Sequence, residues 1–215
     1  MSETRDWLDW HREYDDPSSS LSRRRLVIQR YLRFVLAELA PASDHQAVRL
    51  LSLCAGDGGD VLEVLAGVRQ VRALLVELDP ELADRARRRA AELELDRVRV
   101  HTGDAGRPAG YAELLPAHIV LACGVFGNVG EADVRRIVEA LPAMLAPGGW
   151  VIWTRGRGAD GTDASEPIRR LFASHGLTEV GFTAPADAKF RVGLHRLDRV
   201  PAGIDELPAV LFRFR

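Results

Sequence analysis

One lysine, Lys189, and two cysteines, Cys54 and Cys123, stand in a chain of 215 residues. So few cysteines exclude a disulfide-rich secreted framework. Both close apolar runs, so they read as reduced core thiols. No apolar run approaches the roughly 20 residues of a membrane-spanning helix. The amino terminus is charged and lacks the apolar stretch of a secretory signal. The expectation is a soluble, cytoplasmic protein with no membrane partner. A formal net charge of −2 leaves no basic field to attract nucleic acid. No metal-ligand spacing is present either: the six histidines are scattered and the cysteines lie far apart. The shortage of lysine is matched by abundant arginine, which reads as a compositional habit. Apolar residues are plentiful, at 47%, and can fill the core of one large domain or two small ones.

The most informative stretch runs from Val48 to Asp79. Val48 to Cys54 is an apolar run that reads as a buried strand. Ala55-Gly56-Asp57-Gly58-Gly59-Asp60 follows as a glycine turn, opening a helix expected over Val61 to Val68. A second apolar strand, Arg72 to Leu78, carries Glu77 at its end, before Asp79-Pro80. Strand, glycine turn, helix, strand and terminal acid make the nucleotide-binding half of a Rossmann-like fold. A dinucleotide fingerprint places a third glycine or alanine where this chain has Val61. Asp57 and Asp60 would repel a pyrophosphate competing for the same helix-terminal amides. An adenosine ligand with positive charge and no phosphate tolerates them, and S-adenosyl-L-methionine is such a ligand. Glu77, nineteen residues after Gly58, stands where a carboxylate accepts hydrogen bonds from ribose hydroxyls. Taken singly, Asp57 and Asp60 read equally as helix caps and Glu77 as a surface acid; the ordered set favours the ligand.

With these residues the chain resembles the class I S-adenosylmethionine-dependent methyltransferases over nearly its whole length. Leu51 to Gly58 is similar to their first motif, Glu77 to their ribose acid, and Gly103-Asp104-Ala105 to the segment that meets the adenine. Leu145-Ala146-Pro147-Gly148-Gly149 is similar to the turn before their fifth strand. Asp6-Trp7-Leu8-Asp9-Trp10-His11, Tyr14-Asp15 and Cys123 to Asn128 resemble a narrower set of methyltransferases seen mainly in actinobacteria. The resemblance implies an α/β fold with a Rossmann-like seven-stranded sheet. That sheet would be mostly parallel, with an antiparallel last hairpin and helices on both faces. It implies a lid or cap over residues 1–46 and a cofactor-binding domain over 47–215, forming one structural domain. Tyr14, Cys54, Ala55, Gly56, Asp57, Gly58, Glu77, Leu78, Asp104, Ala105, Gly124, Val125 and Phe126 become the candidate cofactor contacts, with a plain core role for Phe126 an equal alternative. The product would be S-adenosyl-L-homocysteine (SAH). Ser52 and Cys54 depart from the wider family's acid and first glycine, so Asp57 or an amino-terminal residue would take over the contact to the methionine amine.

Trp7, Trp10, His11 and Tyr14 share one helical face. Two aromatic anchors and two polar tips fit a lid in which His11 and Tyr14 face a methyl acceptor. After Asp16 to Ser20 breaks the pattern, Leu21 to Leu39 reads as a helix with Leu26, Val27, Tyr31, Phe34 and Val35 on its stripe. Arg23-Arg24-Arg25 reads as its solvated face. Further helices are expected at Glu81 to Glu94, Glu131 to Leu145 and Ser165 to His175. Strands are expected at Val98 to His101, His118 to Cys123, Trp150 to Thr154, Leu177 to Ala184 and Phe190 to Leu197, with a short one at Leu211 to Phe214. Arg155 to Gly161 reads as a mobile linker ahead of an anion-binding loop. Methyl transfer is an in-line displacement that needs positioning above all, so a sharp catalytic signature is not required. His11, Tyr14 and Asn128 are the catalytic candidates, with His195 a structural residue ahead of a base. No Asn-Pro-Pro-Tyr-like box follows the fourth strand, which weakens amino methylation of adenine or glutamine. The expected acceptor is a small molecule methylated on O or N, with the protein a monomer or homodimer. Two alternatives stay open: a non-catalytic cofactor-binding scaffold, and an aminopropyl transferase, although Gly124 to Asn128 lacks the acid a polyamine pocket would need.

Overall fold

Seven strands alternate with helices along the chain, and their hydrogen bonds close one sheet. The computed structural model describes residues 16–40, 47–158, 161–198 and 207–214. The expectations on Trp7, Trp10, His11 and Tyr14, and on the link 41–46, lie outside them. Helix α1 (Ser20–Leu39) starts where the Ser19 side chain accepts the Ser22 amide, a serine N-cap. Then come β1 (Val48–Leu53), α2 (Leu62–Leu65), β2 (Val71–Glu77), α3 (Pro80–Glu92), β3 (Val98–Thr102) and β4 (Ala117–Ala122). The chain continues through α4 (Glu131–Met144), β5 (Leu145–Gly156), α5 (Ser165–Ser174), β6 (Leu177–Thr183) and β7 (Phe190–Leu197). The sheet order is β3-β2-β1-β4-β5-β7-β6. The pairs β1–β2, β1–β4, β2–β3 and β4–β5 are parallel, and β7 runs antiparallel to both β5 and β6. This is the expected seven-stranded arrangement. The chain order reverses beside β1, so a crevice opens at the carboxyl ends of β1 and β4.

The two faces carry separate cores. Ile28, Leu32 and Val35 of α1, Val61 to Leu65 and Ala90 cover one face. Val134, Ile137, Val138 and Leu141 of α4, Ile168 and Phe172 of α5, and Leu211 and Phe212 cover the other. Strands buried on both faces explain why β1, β2 and β4 read as unbroken apolar runs. Helix α1 therefore belongs to the domain's own layer.

Four local expectations change. The buried stripe of α1 is Arg24, Ile28, Gln29, Leu32 and Val35. Leu26 is 63% exposed and Phe34 43%, the latter set edge-on to Trp150. The helix after the glycine turn is a single turn, Leu62–Leu65: Val61, at φ −121°, precedes it and Ala66, extended at ψ 118°, ends it. Strand β5 begins early, at Leu145. The expected turn survives inside it as an irregularity: Ala117 pairs Leu145 and Ile119 pairs Trp150, with Gly148 at φ +73°. Leu211 to Phe214 forms no strand; a lone antiparallel bridge joins Val129 to Phe214.

Candidate functional site

A cavity of about 310 Å³ opens at the carboxyl ends of β1, β2 and β4. The residues after β1 build its floor. Gly56 and Gly58 adopt φ +58° and +79°. A Cβ on Gly58 would lie 2.5 Å from the Leu62 side chain, so the turn requires glycine there. Cys54 has φ +54°, a left-handed conformation that a non-glycine residue adopts at a cost.

Glu77 fixes this turn to the end of β2. One carboxylate oxygen accepts the Gly56 amide at 2.7 Å and the other the Asp79 amide at 2.9 Å. A carboxylate offers about four lone-pair directions, so two amides leave it able to accept more hydrogen bonds from the cavity it lines. Asp79 in turn caps α3, accepting the Glu81 and Leu82 amides at 2.8 and 3.1 Å. Asp57 accepts the Gly59 amide at 3.0 Å and meets Arg25 at 3.4 Å and Arg89 at 3.5 Å. Arg89 also pairs with Glu63. The acids of the glycine turn are thus neutralised from α1 and α3.

The two thiols of the cavity have different surroundings. Desolvation pushes the Cys54 thiol well above its usual range, and the charges of Glu77 and Asp104 push it further. Burial also raises the Cys123 thiol; Asp60 adds to the rise and Arg24 opposes it. Glu77 and Asp104 therefore lie within electrostatic reach of Cys54, and Asp60 and Arg24 within reach of Cys123; Leu78, Ala105, Gly124 and Phe214 complete the lining. Asp104 accepts the Gly106 amide at 2.8 Å, and the buried Tyr111 hydroxyl donates to the Ala105 carbonyl at 3.1 Å. Burial raises the Tyr111 hydroxyl far above its normal range, keeping it a donor. Both thiols stay protonated at neutral pH, unsuited to nucleophilic work.

The expected residues divide as follows. Cys54, Ala55, Gly56, Asp57, Glu77, Leu78, Asp104, Ala105 and Gly124 line the cavity. Gly58 supports the turn from below. Val125 and Phe126 are fully buried and absent from the described lining. Phe126 is placed differently from the expectation: its ring packs 5.7 Å from Trp153 and 6.2 Å from Phe172, inside the α4–α5 core. Asn128 donates to the Gly124 carbonyl at 2.6 Å and so ties the loop after β4 to itself. His195 sits in β7 away from the cavity, accepting the Trp153 indole N–H at 3.1 Å.

Sequence reasoning missed Arg24 and Arg25. They were expected on a solvated face, yet Arg24 is 8% exposed and both line the cavity. Only Arg23 matches that expectation, pairing with Asp187 at the surface. Cys123 and Phe214 were missed as well. An arginine on the same helical stripe as Ile28 and Leu32 was the available signal for Arg24. Among the described residues no group of three or more His, Cys, Asp or Glu is placed to hold a metal. None of their helices is long and apolar enough to cross a membrane.

Residues 51–151 match the family profile described as a methyltransferase domain. Aclacinomycin 10-hydroxylase RdmB from Streptomyces purpurascens is 33% identical over 150 residues, covering 68% of this chain and 39% of that protein. The chain thus spans about two fifths of the length of this curated relative. Magnesium protoporphyrin IX methyltransferase from Synechocystis PCC 6803, solved with bound SAM, superposes with a TM-score of 0.59 at 13% identity, over 87% of this chain and 88% of that one. An RNA methyltransferase from Salinibacter ruber in complex with SAH gives 0.53 at 21% identity, over 84% and 96%. At such identities these likenesses establish the Rossmann-like methyltransferase fold.

Proposed function

We propose that this chain is an enzyme of the class I type, which binds S-adenosyl-L-methionine and transfers its methyl group to a small-molecule O or N acceptor. The observation that carries the reading is Glu77: a carboxylate fixed by two backbone amides, lining a cavity between a glycine turn and an apolar slot. Its remaining lone pairs receive the two ribose hydroxyls. Arg24 and Asp60, within reach of Cys123, complement the carboxylate and the ammonium of the methionine portion. The methyltransferase-domain match supports the same class.

Bound there, the cofactor supplies an electrophilic methyl carbon. It would give up that methyl as its bond to sulfur breaks and the bond to the acceptor forms, the electron pair returning to sulfur. An O or N acceptor sheds its proton to a base or to water. His11 and Tyr14 are the proposed groups facing the acceptor. Asn128, which braces the loop after β4, is a positioning residue. Residues 1–16 form the proposed lid that excludes water during transfer.

A second reading comes from the hydroxylase relative: its name associates this domain with a reaction other than methyl transfer. Titration calorimetry with SAH, SAM and NAD tests cofactor choice, and tight NAD binding with none for SAH overturns it. Release of SAH during turnover separates methyl transfer from the second reading. Hydrogen exchange with and without SAH tests the lid: unchanged protection of residues 1–16, with equal SAH affinity after their removal, refutes it.

A further inference from the structure

A second cleft, of about 450 Å³, opens between α4 and α5 and shares no lining residue with the cavity at Glu77. Its floor is apolar. Val134 and Ile168 are each 5% exposed, and Leu171, Pro167 and Ala164 continue the apolar lining. Its charged lining sets three arginines against one acid. Arg135 comes from α4, Arg170 from α5 and Arg155 from the end of β5, and Glu131 is the acid.

Both walls are fixed by other contacts. At the start of α5, Asp163 accepts the Ser165 amide at 3.0 Å and the Ser165 hydroxyl at 2.6 Å, and it pairs with the buried Arg191 at 2.6 Å. On α4, Asp133 accepts the Arg213 amide at 3.2 Å, and Arg136 donates to the Leu211 carbonyl at 3.2 Å. The cleft is thus formed without a ligand, as small-molecule sites usually are. Two of its arginines keep donors for an occupant. Arg170 reaches Glu166 only at 3.8 Å. Arg135 makes no hydrogen bond or ion pair among the described residues. Arg155 donates to the Phe126 carbonyl, which holds its side chain beside the loop after β4. Guanidinium groups around an apolar floor match a molecule with an anionic head and an apolar body. A bare inorganic anion leaves the floor in water, and a neutral apolar compound leaves the arginines unmatched.

We propose that the α4–α5 cleft is a second ligand site, which takes a small carboxylic acid with an apolar body. The body lies on Val134, Ile168 and Leu171, and the carboxylate is held by the arginines of the rim. The site stands on residues of its own, so it holds or fails independently of the cofactor reading. The probe is 2-naphthoate, with 2-naphthalenemethanol as its uncharged counterpart and inorganic phosphate as a head without a body. Calorimetric titration of the full chain should show one saturable site for 2-naphthoate, with both counterparts about tenfold weaker or more. Arg135→Glu turns an attraction into a repulsion and should weaken 2-naphthoate roughly tenfold or more; Arg135→Lys should keep most of the affinity. Arg170→Glu repeats the charge reversal from the other wall, and thermal melts identify which variants are folded. Arg24→Ala alters the other cavity and should bind 2-naphthoate as the wild type does.

A wild type that does not bind 2-naphthoate refutes the site. Equal binding by the folded charge-reversal variants also refutes it. A loss in Arg24→Ala moves the ligand to the cavity at Glu77 and overturns the proposal. Phosphate or the alcohol binding as tightly as 2-naphthoate overturns the assigned ligand class.

Discussion

At the ends of β1 and β2, polar side chains converge on open space; around β5, β7 and α5, comparable side chains converge on one another. Glu77 accepts two amides and keeps lone pairs facing the cavity. His195, by contrast, accepts the Trp153 indole N–H, stacks 4.3 Å from Phe172 and faces Glu179 at 3.7 Å. Glu179 is itself held by Arg169 at 2.6 Å, and the buried Arg191 is spent on Asp163 at 2.6 Å. The difference separates two kinds of polarity: Glu77 keeps acceptor capacity on the cavity it lines, while His195, Glu179, Arg169, Arg191 and Asp163 face one another inside the fold.

Breaking the second region should cost stability and spare the site. Trp153→Ala removes a fully buried indole stacked on Phe172. It should destabilise the fold by about 3–5 kcal/mol in a denaturant melt, with the SAH affinity of the folded fraction unchanged. A comparable loss of affinity would show that the two regions are coupled.

The buried histidine should give acid sensitivity. Burial lowers the His195 pKa from 6.5 to about 4; Glu179 opposes the shift and Arg169 reinforces it. Between these values the unfolded chain binds more protons than the folded one, so stability rises with pH across this window. It is fully present above about pH 6.5 and is lost as pH falls toward 4, up to about 3 kcal/mol. His195→Gln keeps an acceptor for the indole and should flatten the dependence of unfolding free energy on pH between 4 and 6.5. If the slope survives, the acid sensitivity resides elsewhere.

Breaking the first region should do the reverse. Each charge-assisted bond from Glu77 to a ribose hydroxyl is worth about 1.5–3 kcal/mol. Glu77→Gln, which still accepts a backbone amide, should weaken SAH binding at least tenfold by calorimetry with a small change in melting temperature. An unchanged dissociation constant in the folded variant would remove Glu77 from the ribose. The smallest effect belongs to Cys54→Gly, which relieves a left-handed non-glycine residue. It should stabilise the fold by up to about 1 kcal/mol and leave SAH affinity intact, because backbone and not thiol chemistry is needed there. A large loss of affinity would make the side chain itself a contact.

How far the sequence reached depended on the range of the interactions involved. The glycine turn, Glu77 and the strands around them were legible because apolar runs, φ-permissive glycines and a strand-end acid are written within some thirty consecutive residues. Asp79 as a cap was legible for the same reason. The α1 face was misjudged because Leu26 and Phe34 fit a helical stripe as well as Ile28 and Leu32 do; only the position of the sheet selects between them. Phe126 stayed undecided between cavity and core because a loop aromatic at the ligand edge can turn outward or inward. Trp153 and Phe172, far away in sequence, turned it inward.

Local chemistry in the sequence thus determined a Rossmann-like sheet, the place of its crevice and the acid that faces it. Backbone conformation and apolar periodicity act between near neighbours and need no knowledge of the fold. Tertiary structure alone decided that Arg24 and Arg25 reach the cavity, that His195 is shut away from it, and that Phe214 joins its lining. Each of those outcomes depends on which distant segment packs alongside, here the helix Ser20–Leu39 and the segment Leu211 to Phe214. Such pairings are fixed by the burial of surfaces that meet only after the chain has folded.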